Sequence, residues 1–225
     1  MDSALRRLAL ELHDCGAFKT KHHKTAVTRA DGERGFRLKM HEQHPEEPLS
    51  PFYLDLRALL PALVSTCGRE LFNLAERRSL EFDCLVGLPK AGEPFSNAMA
   101  ACWPKGERKP VLHLRKAEKN GKRQITGPLV GLFNPGQIVL PIDDVITRAE
   151  TKLEAIDVLR RHGLIVKDVL VVVDRQQGGE KELQDCGCQL HALFRLEELL
   201  KVYIETERIT PVLQEEIWRY ANRPV

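Results

Sequence analysis

The sequence predicts an α/β protein in which a central parallel sheet is flanked by helices. From residue 82 onward, short and continuously apolar runs alternate with helical stretches, as in Ile138–Ile142, Lys152–His162 and Val169–Val173. Strands of a parallel sheet are buried on both faces, so they read as continuous apolar runs and not as alternating patterns. The chain of 225 residues is also long enough to bury one sizeable core.

The N-terminal part of the sequence does not follow this alternation. Leucines at helical spacing predict an amphipathic helix over Ala4–His13 that ends near Gly16. Residues 19–50 are polar and rich in Lys, His, Glu and Pro, which favours loops and short strands such as Gly35–Met40. The sequence therefore predicts an irregular segment before the α/β core.

The remaining elements are predicted in chain order from apolar runs and helical periodicity. Helices are expected on either side of Gly68, because Pro61 and Gly68 interrupt the helical pattern. After residue 190 we expect a short strand, a helix and a helical tail. The other predicted elements are helices at Arg57–Cys67, Arg69–Leu80 and Phe95–Cys102, and strands at Phe82–Val86 and Val111–Leu114.

Composition and charge argue against several classes of function. The 34 basic and 32 acidic residues give a net charge of +2, which is too balanced to indicate nucleic-acid binding. Apolar runs fall short of the roughly 18 residues of a membrane span, and no signal-peptide pattern is present at the N-terminus. Six cysteines without a C-x-x-C pair indicate free thiols of a reducing compartment. We therefore expect a soluble, cytoplasmic protein without a nucleic-acid or membrane partner.

The segment Gln137–Arg175 carries the strongest chemical signal. An apolar strand ends in Asp143 and Asp144, and a short loop then enters a helix, where Thr151 and Glu154 have the spacing of a capping box. Helix N-termini at the carboxyl edge of a parallel sheet bind anions. The two carboxylates could thus bind ribose hydroxyls while the loop amides hold a phosphate. Spacing alone leaves open the alternative that solvated acids simply end a strand before a capped helix.

The stretch IVLPIDDVITRAET resembles the phosphoribosyl-pyrophosphate (PRPP) binding motif of type I phosphoribosyltransferases, and its wider context is similar to the orotate phosphoribosyltransferase family. The resemblance covers roughly residues 4–202. It implies the type I phosphoribosyltransferase fold, with a small N-terminal hood over about residues 1–60, a core over 61–202 and a helical tail over 203–225. The supporting motifs are GAFK (Gly16–Lys19), FRLK (Phe36–Lys39), SPFYLDLR (Ser50–Arg57), GLPKAGEP (Gly87–Pro94), RKAEK (Arg115–Lys119) and DRQQGG (Asp174–Gly179).

This resemblance implies a reaction in which orotate displaces pyrophosphate from PRPP and gives orotidine 5′-monophosphate, a step of pyrimidine nucleotide synthesis. It implies a requirement for Mg²⁺, held mainly by PRPP, and a homodimer, because the family shares a mobile basic loop between subunits. Catalysis of this kind is mostly positioning and electrostatic stabilisation. Two alternatives stay open: a non-catalytic, nucleotide-binding regulatory protein with this fold, and a transferase for another base.

Residue roles follow from the motif matches. The resemblance assigns catalysis to Lys116, Lys119, Asp143 and Asp144. It assigns orotate binding to Tyr53, Leu54, Thr147 and Arg175, where the Arg175 guanidinium would pair with the orotate carboxylate. Two structural alternatives stay open. The basic residues of the segment 115–119 form only a solvated face, and Arg175 only caps its strand or pairs with Asp174. PRPP binding is assigned to Lys39, Lys90, Ala91, Gly92, Arg115, Lys116, Lys119, Asp143, Asp144, Val145, Ile146, Thr147, Arg148, Ala149, Glu150 and Thr151.

The phosphate loop departs from the family's glycine-rich pattern. Ala149 stands where a glycine is usual, which restricts positive φ angles and a close approach of the backbone to phosphate. Glu150 brings an anion toward an anion, so we expect it to point away or to pair with Arg148. Residues 40–49 also lengthen a segment that is a tight turn in the family. The altered loop favours the two alternative functions, whereas the retained acids and basic residues favour orotate transfer.

Overall fold

The structure is a computed structural model that describes residues 1–42, 44–119 and 122–223, without the side chains at positions 39, 116–119, 122, 123, 126 and 127. In chain order, its helices are α1 (Ser3–Asp14), α2 (Pro61–Arg77), α3 (Glu93–Ala100), α4 (Glu150–Arg161), α5 (Gly179–Asp185), α6 (Leu196–Glu205) and α7 (Pro211–Ala221). Its strands are β1 (Phe18–Thr20), β2 (Val27–Thr28), β3 (Arg34–Gly35), β4 (Phe52–Leu54), β5 (Cys84–Gly87), β6 (Val111–Lys119), β7 (Lys122–Val130), β8 (Val139–Ile146), β9 (Asp168–Asp174) and β10 (Gln189–Arg195). The chain divides into two compact units, one of residues 1–59 with 196–225 and one of residues 60–195.

A six-stranded sheet with the order β10-β9-β8-β5-β6-β7 forms the larger unit. Neighbouring strands are parallel, except that β7 runs antiparallel to β6 at the edge. The run Val169–Val173 is completely buried, as expected for a strand covered on both faces. The predicted α/β class with a central, mostly parallel sheet is therefore confirmed, and the edge hairpin adds one antiparallel strand.

Helix α2 corrects the prediction of two helices around Gly68. Pro61 lies in its first turn, where backbone N–H groups have no acceptor within the helix, so a proline costs no hydrogen bond there. Gly68 lies inside the helix, and a Cβ atom there would come within 2.5 Å of the Ala98 Cβ on α3. Gly68 therefore permits close packing of α2 against α3 and does not mark a helix end.

The basic segment Arg115–Lys119, which the resemblance assigns to the family's mobile loop, is part of a β-hairpin. Strand β6 continues from Val111 through Lys119, and Arg115 is paired in register with Thr126 of β7. Leu112 and Leu114 of β6 are buried, as are Ile125 and Leu129 of β7, so apolar residues on both strands hold the hairpin on the core.

The smaller unit begins with the predicted N-terminal helix. Asp2 caps α1 by accepting the Leu5 N–H at 2.9 Å, and Gly16 follows the helix with a φ angle of +77°, a conformation that favours glycine. Helix α1 packs against α6, where the Tyr203 hydroxyl donates to the carbonyl oxygen of Ala9 at 3.0 Å. The predicted division of the chain at residue 202 stays a prediction.

The segment between β1 and β4 contains less strand than predicted. It contains the short strands β2 and β3, but of the predicted strand Gly35–Met40 only Gly35 belongs to a strand; Phe36 makes an isolated bridge to Ser50, and a 3₁₀ turn covers Lys39–Glu42. The predicted strand at Gly35–Met40 is therefore wrong over most of its length.

Within the described residues, no helix has the length and hydropathy of a membrane span.

Candidate active site at the carboxyl edge of the sheet

The acidic pair lies within strand β8 and not beyond its end. Asp143 is only 5% exposed, and its Oδ1 accepts the Asp144 N–H at 3.0 Å. The Oδ1 of Asp144 accepts the Val145 N–H at 2.7 Å. The strand's own amides thus orient both carboxylates, and the alternative of two solvated acids does not describe this edge.

Lys152 on helix α4 is a site residue that the sequence analysis missed. Its Nζ lies 2.6 Å from Oδ2 of Asp143 and donates to the carbonyl oxygen of Val145 at 2.7 Å. Both side chains are more than nine-tenths buried, so each charge depends on the other for compensation. A signal was available, because Lys152 shares helical spacing with the buried residues Ala155, Ile156 and Leu159 and therefore falls on the inward face.

Asp144 has an unusual electrostatic environment. Burial, followed by the negative charge of Asp143, raises the pKa of Asp144 to about 7, while Lys152 acts in the opposite direction. A carboxyl group with that pKa exists in both protonation states near neutral pH. Asp144 can therefore donate or accept a hydrogen bond toward a ligand hydroxyl.

The turn after β5 lies directly beside the acidic pair. The Leu88 N–H donates to the carbonyl oxygen of Ile142, the residue before Asp143, at 2.8 Å. A Cβ atom at Gly92 would overlap this same carbonyl oxygen, so the close approach requires a glycine. Lys90 has a φ angle of +74°, which is rare for a residue with a side chain. The sequence-predicted turn Lys90–Gly92 and the acids are thus neighbours.

The loop after β8 enters helix α4 without the predicted capping box. Ala149 occupies the N-cap position and Thr151 lies inside the first turn. The Oε2 of Glu154 accepts the Ile125 N–H of β7 at 3.3 Å and so does not close a capping box. Ala149 has a φ angle of −90°, which any residue can adopt, and this explains why a glycine is not required here.

Glu182 on helix α5 binds this loop through two contacts. Its Oε2 accepts the Ala149 N–H at 2.6 Å, and its Oε1 lies 2.7 Å from Nε of Arg148. Of the two alternatives expected for Glu150, the structure agrees with the first: Glu150 is exposed, while Arg148 pairs with Glu182. No motif in the sequence indicated Glu182, because its position is fixed by the packing of α5 after the next strand.

Arg175 and the start of α5 approach the same edge from strand β9. The Arg175 N–H donates to the carbonyl oxygen of Ile146 at 2.9 Å, and the Arg175 side chain is 5% exposed. The Gly179 N–H donates to the carbonyl oxygen of Thr147 at 3.1 Å. The carboxyl ends of β8 and β9 are thereby joined by backbone hydrogen bonds.

The remaining predicted site residues lie elsewhere in the chain. Tyr53 and Leu54 belong to β4 of the smaller unit, where the Tyr53 hydroxyl accepts a hydrogen bond from Nη2 of Arg57 at 3.0 Å. Arg115 is exposed on β6. The side chains of Lys39, Lys116 and Lys119 lie outside the described part of the structure.

Comparisons with known proteins agree with one another on the family. No family model matches the chain. Orotate phosphoribosyltransferase of Thermoplasma volcanium is 33% identical over 152 residues, which cover 67% of this chain and 84% of that protein. Uridine 5′-monophosphate synthase of Bos taurus is 33% identical over 184 residues, which cover 77% of this chain and 37% of that protein.

The solved structure of Leishmania donovani UMP synthase has a TM-score of 0.73 and 26% sequence identity to this chain, covering 98% of this chain and 42% of that one. This chain therefore spans less than half of the length of these two UMP synthases. With the family's type I fold, its ordered motifs and these relatives in agreement, the chain belongs to the orotate phosphoribosyltransferases, a family of pentosyltransferases.

Proposed function

We propose that this chain transfers the phosphoribosyl group of PRPP to orotate, giving orotidine 5′-monophosphate and pyrophosphate in pyrimidine nucleotide synthesis. One observation carries the proposal: the turn Lys90–Gly92, the acids Asp143 and Asp144, and the loop 147–151 meet at the carboxyl edge of β5 and β8. In open α/β sheets this edge is where ligands bind. A pair of acids beside the backbone amides at a helix start suits a sugar phosphate.

For PRPP, Asp144 would bind the ribose hydroxyls, while Asp143 is neutralised by Lys152 and supports its neighbour. The amides and hydroxyls of residues 147–151 would surround the 5′-phosphate at the start of α4. The turn Lys90–Gly92 would contact the diphosphate from the strand next to β8. Further positive charge toward the diphosphate would come from Lys39, Arg115, Lys116 and Lys119.

For orotate, the buried Arg175 would pair with the carboxylate that distinguishes orotate from uracil. Tyr53 and Leu54 would pack against the pyrimidine ring, and Thr147 would contact it from the loop. In the reaction, N1 of orotate gives its proton to the departing pyrophosphate or to solvent and bonds to C1 of the ribose, while the bond from C1 to the pyrophosphate oxygen breaks and its electron pair leaves with the pyrophosphate. The chain's residues act by holding both reactants and by balancing the charges that develop.

The remaining parts of the proposal concern the ion, the assembly and the location. Mg²⁺ favours phosphate oxygens and water, with one or two carboxylates from the protein, and the partly exposed Asp144 fits that role. When bound, the ion would offset the negative charge of the diphosphate.

Homodimerisation would bring the basic hairpin of one subunit to the site of the other. The six thiols fit a cytoplasmic location.

The test is transfer by the purified chain with Mg²⁺ and PRPP, using orotate and uracil as competing acceptors. We expect orotidine 5′-monophosphate to form and the uracil product to be barely detectable, because uracil lacks the carboxylate that Arg175 would bind. Arg175→Ala should erase most of this preference. Equal use of the two bases by the unchanged protein would contradict the orotate assignment.

A second candidate function is a non-catalytic protein that binds a nucleotide and regulates a partner. The contact of Glu182 with the loop favours it, because a carboxylate already satisfies one phosphate-binding amide. Tight nucleotide binding without turnover of any base would support this candidate over orotate transfer.

A further inference from the structure

Glu182 places a carboxylate where the proposed function puts the 5′-phosphate of the substrate. It contacts the Ala149 N–H at 2.6 Å and Nε of Arg148 at 2.7 Å. A backbone N–H at a helix start and a guanidinium are the donors that phosphate groups favour. The Glu182 carboxylate therefore resembles the expected ligand in the sign of its charge and in its partners.

The Glu182 carboxylate and a phosphate exclude one another at this position. The Ala149 N–H has a single proton to donate, and like charges at hydrogen-bond distance repel each other. A bound phosphate that uses this amide must therefore displace Glu182. The displaced carboxylate would leave Arg148 available to the phosphate.

This exchange requires side-chain rotation and no movement of a helix. A Cβ atom at Gly179 would lie 2.6 Å from Cγ1 of Ile146, so the start of α5 packs directly on β8. The Glu182 and Arg148 side chains are 27% and 50% exposed, which gives both of them room to rotate toward solvent. The backbone hydrogen bond from Gly179 to Thr147 can stay in place throughout.

We propose that Glu182 is an internal competitor for the phosphate subsite, and that Arg148 exchanges its carboxylate for the phosphate of a phosphoribosyl ligand. The inference rests on the proposed function, because it takes residues 147–151 as the phosphate loop. It assigns the Arg148 side chain to phosphate binding and makes Glu182 a determinant of affinity. Competition with a fixed carboxylate favours doubly charged phosphate monoesters over ligands of lower charge.

The test measures the affinity for ribose 5-phosphate and for Mg-PRPP by titration calorimetry. Glu182→Gln keeps an oxygen acceptor for the Ala149 N–H but removes the charge, so we expect binding to tighten about tenfold, the effect of one charge-assisted hydrogen bond. Arg148→Gln should weaken binding by a similar factor. In the Arg148→Gln background, the gain from Glu182→Gln should shrink, because the two residues act on the same ligand group.

Controls separate this competition from a structural role. Glu180→Gln removes a charge from the same helix, where Glu180 contacts Arg195 at 3.4 Å, and should leave both affinities unchanged. Glu182→Asp keeps the charge but shortens the side chain by one methylene, so it should also tighten binding. Thermal unfolding of each variant reports whether the loop is still folded.

Three outcomes would overturn the inference. Unchanged or weaker binding in Glu182→Gln and Glu182→Asp, with orotate transfer intact, would reject the competition and leave the proposed function standing. A marked loss of thermal stability in both variants would instead make Glu182 a structural support of the loop. If neither the unchanged protein nor any variant binds PRPP, the proposed function and the inference fall together.

Discussion

At the scale of single residues, the site depends on charges that the strand and helix pattern does not reveal. The acids were evident in the sequence because they follow an apolar run, but their partners come from other elements. Lys152 neutralises Asp143 from the first turn of α4, and Glu182 reaches Arg148 from α5. Each of these ion pairs brings a nitrogen and an oxygen atom from two different elements to within about 3 Å of each other. Spacing along the sequence does not predict such distances between separate elements.

Removal of Lys152 tests the buried ion pair. We expect Lys152→Met to lower the free energy of unfolding by about 3 kcal/mol, because it leaves the Asp143 carboxylate buried without its counter-charge. Urea denaturation at pH 7 measures the change. The double variant Asp143→Asn with Lys152→Met should recover most of the loss, and a double variant as unstable as the single one would contradict this explanation.

The raised pKa of Asp144 predicts a stability that depends on pH. The pKa of about 7 in the folded protein exceeds the ordinary value of about 3.9, so the unfolded chain binds fewer protons between these values. The contribution of Asp144 to stability therefore falls as the pH rises from about 4 to about 7. Asparagine does not ionise and avoids this loss.

We therefore compare the change in the free energy of unfolding that Asp144→Asn causes at two pH values. Relative to the unchanged protein, the variant should gain roughly 2 kcal/mol more stability at pH 8 than at pH 4. A shift of about three pKa units at about 1.4 kcal/mol each would give about 4 kcal/mol. We expect roughly half of that, because solvent screens the partly exposed Asp144. Urea denaturation of both proteins at the two pH values gives the comparison. A difference between variant and parent that is independent of pH would reject a raised pKa.

At the scale of elements, close backbone approaches account for most differences between the predicted and observed structure. Gly68 interrupts a helical pattern, yet it lies inside α2 because only a glycine lets Ala98 come so near. The resemblance assigns the basic segment 115–119 to a mobile loop, yet pairing with β7 makes it a strand. Long-range pairing decides such segments, so local composition predicts them poorly. The apolar strands and the N-terminal helix were predicted well because burial alone determines them.

The turn after β5 provides an element-scale prediction. Gly92→Ala would force a Cβ atom onto the carbonyl oxygen of Ile142, so we expect a loss of roughly 2 kcal/mol or more in the free energy of unfolding, and weaker PRPP binding. Gly106 has open space around its Cα, and Gly106→Ala is the matched control that should change stability by less than about 0.5 kcal/mol. Equal effects of the two substitutions would show that the approach of the turn to β8 is not tight.

At the scale of the whole molecule, the fold class and the family follow from the order of motifs along the chain, while the assembly does not. The order from GAFK to DRQQGG was visible in the sequence, and the sheet order and the relatives agree with it. Whether one subunit's basic hairpin serves the other subunit's site depends on a surface that no single chain contains. That question requires an experiment on mixed subunits.

Complementation between variants tests this shared site. Lys116→Ala and Asp144→Asn should each abolish most transfer, whereas a mixed dimer would contain one site with both residues intact. When equal amounts of the two variants are unfolded and refolded together, about half of the dimers would be mixed, each with one intact site of two, so we expect up to about one quarter of the activity of the unchanged protein. Activity that stays absent, in mixed dimers demonstrated by differential tagging, would mean that each subunit supplies its own Lys116.

The hydrogen bond from the Ile125 N–H to Glu154 connects the basic hairpin to helix α4. Helix α4 begins at the loop that the proposed function assigns to phosphate, and one turn later its Glu154 side chain accepts a hydrogen bond from strand β7 of the basic hairpin. A ligand that fixes the start of this helix would also restrict the motion of Glu154 and of the hydrogen bond that holds β7. Binding of the phosphate end of the substrate would thereby order the hairpin that is proposed to contact the diphosphate end. The exchange of the Ile125 amide hydrogen with solvent would then slow when the distant phosphate binds, and it would serve as a built-in reporter of occupancy.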